Sequence, residues 1–183
     1  MRFKDQVAII TAAGAGIGKA TALIMARDGA TVIAVDTDRQ RLDALEAEAK
    51  AAGGIVIGQR ANALDAKEVA GLVAAVVKQH GRIDIVVNAV GGSTVIGKPA
   101  AGIDELSYAE WKKLIDFNLD ATFLFTNAVV PVMKRQKRGK IVNLASIAGR
   151  GLSVVSSGGY AAAKGGIIAL TKKLGQELGP HGI

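Results

Sequence analysis

Tyr160-Ala161-Ala162-Ala163-Lys164 sets a phenol and an ammonium four residues apart. On a helix that spacing puts both on one face, one turn from each other. A tyrosine with its ordinary pKa of about 10 is a poor base at neutral pH, but a neighbouring cation favours its phenolate. Proton transfer runs best when the pKa lies near the working pH. The plainer reading is a surface helix whose Lys164 reaches into solvent. Upstream, Ser146 carries a hydroxyl able to hydrogen-bond a substrate oxygen and share its proton with Tyr160, although taken alone it is a loop serine. Asn118 says more. Trp111, Ile115, Asn118, Thr122, Phe125 and Val129 fall on one helical face, so an amide stands in an apolar stripe. A buried amide left unpaired costs about 1–3 kcal/mol. Asn118 therefore braces neighbouring backbone or holds a water, and the two roles are compatible.

A second constellation sits near the start. The apolar run Val7–Ile10 leads into Thr11-Ala12-Ala13-Gly14-Ala15-Gly16-Ile17-Gly18, and an apolar-periodic segment leaves it. A strand, a glycine turn and a helix in that order let the backbone approach an anion, with helix N–H groups aimed at it. Asp36 ends the next apolar run, close to the spacing of about 20 residues at which a dinucleotide fold binds the adenosine ribose. Gly14, Ala15, Gly16, Ile17 and Asp36 are thus candidate cofactor contacts. A tight turn with no ligand is the competing reading.

These residues need a frame. Strands are expected at Val7–Thr11, Thr31–Asp36, Ile55–Gln59, Ile83–Asn88 and Lys140–Leu144, with helices between them. Asp65 with Glu68, and Ser107 with Glu110, read as reciprocal N-terminal caps. A long helix is expected from Ser107 to about Lys137, bent where Pro131 removes a donor. The last helix spans about Gly159–Leu178. Alternating strands and helices with short loops imply a single α/β domain over 1–183, a doubly wound parallel sheet in three layers. Asp36, Asn62, Asn88 and Ser146 then converge at the carboxyl ends of the strands, where such sheets bind ligands.

Composition narrows the classes. Half the residues are hydrophobic, and cysteine is absent, which excludes disulfides and thiolate chemistry. His80 and His181 lie near segment ends, so no metal site is expected. No apolar stretch is long enough to span a membrane and no signal peptide is evident, implying a cytoplasmic protein. The net charge of +7 raises nucleic acid as a partner. Its densest cluster, Lys134 to Lys140, lies where a helix ends and complements the dipole there. With 4% aromatics there is little surface for base stacking, so no nucleic-acid role is expected.

Together, Thr11 to Gly18, Asn88 with Gly91, Asn118, Ser146 and the Tyr160/Lys164 pair resemble the short-chain dehydrogenase/reductase family along the whole chain. The resemblance implies a Rossmann-type fold and an NAD-dependent oxidoreductase moving hydride between NAD(H) and the alcohol or carbonyl carbon of a small substrate. It makes Tyr160 the general acid/base and has Ser146 polarise the substrate oxygen. Lys164 binds the nicotinamide ribose and favours the Tyr160 phenolate, and Asn118 holds a relay water. Asn62 and Ala63 approach the adenine, Asn88 borders the cofactor, and a homo-oligomer, tetramer or dimer, is expected. The rival reading is an inactive NAD-binding protein of the same fold that acts by association.

Departures from the family pattern are specific. Ala12 replaces a usual glycine, Asn62 a usual acid, and Ala89 a usual asparagine. Ser146 and Tyr160 stand one residue further apart than is common. The chain stops where a sixth strand is expected, so the folded protein is expected to continue beyond Ile183. Relatives that take the phosphorylated cofactor carry a cation at the places of Ala15 or Thr37. With Arg39 the only nearby cation, and expected to face solvent or to pair with Asp43, NAD(H) is favoured over NADP(H).

Overall fold

In a computed structural model describing residues 1–183, the five apolar runs form one parallel sheet. Its strands are β1 (Val7–Thr11), β2 (Thr31–Asp36), β3 (Ile55–Arg60), β4 (Ile85–Asn88) and β5 (Lys140–Asn143), in the order β3-β2-β1-β4-β5. The chain reverses its direction of travel between β1 and β4. A crevice therefore opens beyond their carboxyl ends.

Alternating side chains divide the core between two helical layers. Val7, Ile9, Ile33, Val35 and Val86 pack under α3 (Ala66–His80) and α5 (Ala121–Gln136). Ala8, Ile10, Val32, Ala34 and Val87 pack under α1 (Gly16–Arg27) and α2 (Arg39–Ala51). The remaining long helices are α4 (Tyr108–Ile115) and α6 (Gly158–Leu178), which pack against each other. Strands covered on both faces read as continuous apolar runs, which is why these were legible.

Three local expectations change. Asp65 caps α3, accepting from the backbone N–H of Lys67 and Glu68, but Glu68 does not reciprocate. Its carboxylate accepts the Asn62 N–H at 2.7 Å and ties down the loop after β3. The strand expected from Ile83 begins at Ile85; Asp84 just before it already bonds its backbone to Val7 and Lys140, and its carboxylate accepts from Val7 N–H, Arg82 and Arg138. The expected long helix is interrupted by a wide π turn over Asp116–Asp120, while Pro131 lies inside α5. Asn118 lies within that turn, and its Nδ2 donates to the Leu114 carbonyl at 2.9 Å, a side-chain insertion into the helical ladder of the kind that accompanies such bulges. The Ser107/Glu110 capping box forms as expected.

Candidate active site

The turn between β1 and α1 leads into a helix start without a side-chain cap. Asp38, Asp65, Ser107 and Ser157 cap the starts of α2, α3, α4 and α6 with their side chains, whereas α1 starts at Ala15 with no side-chain cap. Its first N–H groups have no side-chain acceptor, and Ala15, Gly16 and Ile17 are exposed around them. Ala12, where relatives of this pattern carry glycine, adopts φ +49°. That left-handed conformation is the one a side chain resists and glycine accepts. Gly14 donates its N–H to Asp36 at 2.9 Å, and a Cβ on Gly14 would lie 2.8 Å from the same carboxylate oxygen. The other Asp36 oxygen accepts the Asp38 N–H at 3.0 Å. The carboxylate is thus oriented at the rim of a cavity of about 170 Å³.

Asp36, Asn62 and Ala63 line that cavity together with Val35, Val90 and Phe117. Val90 and Phe117 had no sequence signal: one follows β4 and the other lies in the π turn, and only the fold brings them together. Thr11 is a further positioning residue. Its hydroxyl accepts the N–H groups of Ala89 and Val90, at 2.9 and 3.2 Å, and joins the ends of β1 and β4. Asn88 departs from expectation. Its side chain is buried, and its amide donates to Thr126 Oγ1 at 3.1 Å and to Asn143 Oδ1 at 2.8 Å. It braces the sheet against α5 instead of facing the cavity, because the alternation of β4 turns it toward that layer.

The second half of the site stands on β5 and α6. Ser146 caps a 3₁₀ turn, Ile147–Arg150, by accepting the Ala148 N–H, which leaves its own proton to donate. That turn lies directly against α6: a Cβ on Gly149 would meet the Lys164 carbonyl carbon at 2.6 Å. Lys164 is buried, and its Nζ donates to the Leu144 carbonyl at 2.8 Å, two residues before Ser146. The same nitrogen lies 5.8 Å from the centroid of the Tyr160 ring. The hydroxyls of Tyr160 and Ser146 are not bonded to one another, and that of Tyr160 has no protein partner. Asn118 braces backbone: Oδ1 accepts the Gly92 N–H at 2.9 Å and Nδ2 donates to the Gly92 carbonyl at 3.1 Å. Its side chain is spent on that loop and on Leu114, so a water held here would rest on backbone groups.

Burial pushes the Lys164 ammonium below its ordinary pKa, and no carboxylate compensates it. Because the folded state disfavours the proton, the charge lowers stability at neutral pH, and that cost fades as rising pH removes the proton inside the fold. Lys164→Met is therefore expected to leave the protein at least as stable at pH 7 as wild type, with a gain of up to about 1 kcal/mol that shrinks at alkaline pH. Chemical denaturation at two pH values measures this. A lower stability than wild type at pH 7 would refute the uncompensated charge.

A model of the short-chain dehydrogenase family matches residues 6–183. A 3-oxoacyl-[acyl-carrier-protein] reductase of Thermotoga maritima is 38% identical over 186 residues, covering 100% of this chain and 72% of the relative. A xylitol dehydrogenase solved with NAD+ superposes with a TM-score of 0.91 at 30% identity, over 100% of this chain and 68% of its own. A metagenomic short-chain oxidoreductase solved with NADP superposes with a TM-score of 0.90 at 33% identity, over 99% of this chain and 80% of its own. Five parallel strands between helical layers match the Rossmann-type fold of these neighbours. No helix is long and apolar enough to cross a membrane.

Proposed function

Since this chain belongs to the short-chain dehydrogenase/reductase family, we propose that it is an NAD(H)-dependent oxidoreductase acting on a small secondary alcohol or its ketone, with Tyr160 as its acid/base. The observation that carries this reading is Lys164: a buried ammonium with no carboxylate partner, pinned by one carbonyl beside a tyrosine whose hydroxyl is free. A lone buried charge is costly to keep. Two of its N–H donors remain for the hydroxyls of a ribose.

The residues fit a nicotinamide dinucleotide. The uncapped start of α1 suits a pyrophosphate, Asp36 an adenosine ribose, and the Val35/Ala63/Val90 cavity an aromatic base. The cofactor, when bound, supplies the hydride acceptor in oxidation and the donor in reduction. Ser146 donates a hydrogen bond to the substrate oxygen. In oxidation, Tyr160 would take the hydroxyl proton of the alcohol while the carbinol carbon gave up its hydride to the bound cofactor, so that the C–O bond would become a carbonyl. In reduction, Tyr160 returns the proton to the oxygen. Lys164 Nζ stands 5.8 Å from the Tyr160 ring centroid, where it would hold the nicotinamide ribose, and Asn118 holds through Gly92 the loop whose Gly91 lies against that ammonium. The protein works as a cytoplasmic homo-oligomer in this reading. Oxidation of uncharged secondary alcohols, followed by nicotinamide absorbance, tests the assignment. Tight cofactor binding without turnover on any alcohol or ketone would favour a role by association.

NAD(H) is the preferred cofactor, because a 2′-phosphate would meet the Asp36 carboxylate and like charges at a recognition site cost several kcal/mol. We expect kcat/KM to favour NAD+ over NADP+ by about tenfold or more. A ratio near one, or reversed, would show that Asp36 does not line the ribose pocket.

A further inference from the structure

Every cation around the ribose rim but one is matched to an acid. Lys19 pairs with Glu48, Arg39 with Asp43 and Glu46, and Arg41 with Asp38. Arg39 thus behaves as its sequence position suggested. The exception is Arg60, which the sequence places on the next strand and the fold returns to Asp36. The two residues are register partners in the β2/β3 ladder, on strands about 4.8 Å apart, so their side chains leave the same face of the sheet. Arg60 forms no ion pair, with Asp36 or any other acid. Its single bond is from Nε to the Thr37 carbonyl at 3.2 Å, on the residue immediately after Asp36. The guanidinium is exposed and keeps most of its five donors.

We propose that Arg60 is a ready cation for a 2′-phosphate, so that the preference for the unphosphorylated cofactor rests on the single charge of Asp36. This rests on the dinucleotide reading of the site. An arginine fork matches a phosphate in two-point geometry, and its tether to the Thr37 carbonyl holds it at the rim where that phosphate would stand. Asp36 is already held by the N–H groups of Gly14 and Asp38, and its negative charge repels a second anion. Removing that charge alone is expected to turn the preference, with no cation introduced at Thr37.

The test is calorimetric titration of the protein with 5′-AMP and with adenosine 2′,5′-bisphosphate. In wild type, 5′-AMP is expected to bind at least as tightly as the bisphosphate. In Asp36→Asn, which keeps an acceptor for the Gly14 N–H, and in Asp36→Ala, the bisphosphate is expected to bind about tenfold or more tighter than 5′-AMP. Adding Arg60→Ala to either variant should erase that advantage and leave 5′-AMP affinity unchanged. The inference falls if the advantage survives loss of Arg60, or if neither Asp36 variant gains one. Failure of 5′-AMP and NAD+ to bind wild type at all would overturn the dinucleotide site itself, and this inference with it.

Discussion

Tyr160→Phe is expected to lower kcat by about 10²–10⁴-fold, the range of a single general acid/base, and to leave NAD+ affinity within about twofold. The variant removes one oxygen that has no protein partner, so nothing inside the fold is left unpaired. The ring and its 5.8 Å approach to Lys164 Nζ remain. Stability should move by no more than about 0.5 kcal/mol. Those three readings together separate the assigned role from a structural one. A structural tyrosine would trade activity against stability, whereas an acid/base loses the chemical step alone. Turnover equal to wild type would remove Tyr160 from the mechanism. Loss of cofactor binding in parallel with kcat would reassign it to the cofactor pocket. Calorimetry with NAD+ and an alcohol oxidation assay supply both numbers.

What could be read in advance follows from how far each signal acts along the chain. The β1–α1 turn, the Asp36 position at the end of β2 and the Tyr160/Lys164 pair on α6 are local patterns, and each stands on the element expected for it. The fates of Asn88 and Glu68 depend on which neighbour arrives in space. Asn88 turns toward Thr126 and Asn143, and Glu68 passes over Asp65 to reach the Asn62 N–H. Asn118 was legible as a buried amide in an apolar stripe. The π turn around it was not, because periodicity has no marker for one widened turn. Arg60 illustrates the same limit at the ribose rim. Along the chain it belongs to β3, and only the parallel register sets it beside Asp36. Ladder neighbours are a property of the sheet, and spacing arguments along one strand miss them.

The same logic isolates Gly91, where the two halves of the site come within a methyl group of touching. Gly91 follows β4 with φ +154°, a conformation that side chains rarely adopt. A Cβ there would stand 2.7 Å from Lys164 Nζ and 2.7 Å from Asn118 Oδ1. Both neighbours are buried and committed, Lys164 to the Leu144 carbonyl and Asn118 to Gly92 and Leu114. Neither can yield without breaking a bond that positions the site. Gly91→Ala should therefore displace the ammonium or the loop, and misplacement by about 1 Å at a reacting centre costs on the order of 10²-fold in rate. We expect kcat/KM to fall by about that factor with NAD+ affinity reduced as well, since the role proposed for Lys164 covers both. Backbone strain should cost about 1–3 kcal/mol of stability, leaving the fold intact. Gly97→Ala is the control from the same loop: a Cβ there meets nothing within 4 Å, and activity and stability should stay close to wild type. If Gly91→Ala instead retained wild-type kcat/KM and cofactor affinity, Lys164 would not be held by the contacts described, and the case for its role at the ribose would fail with them.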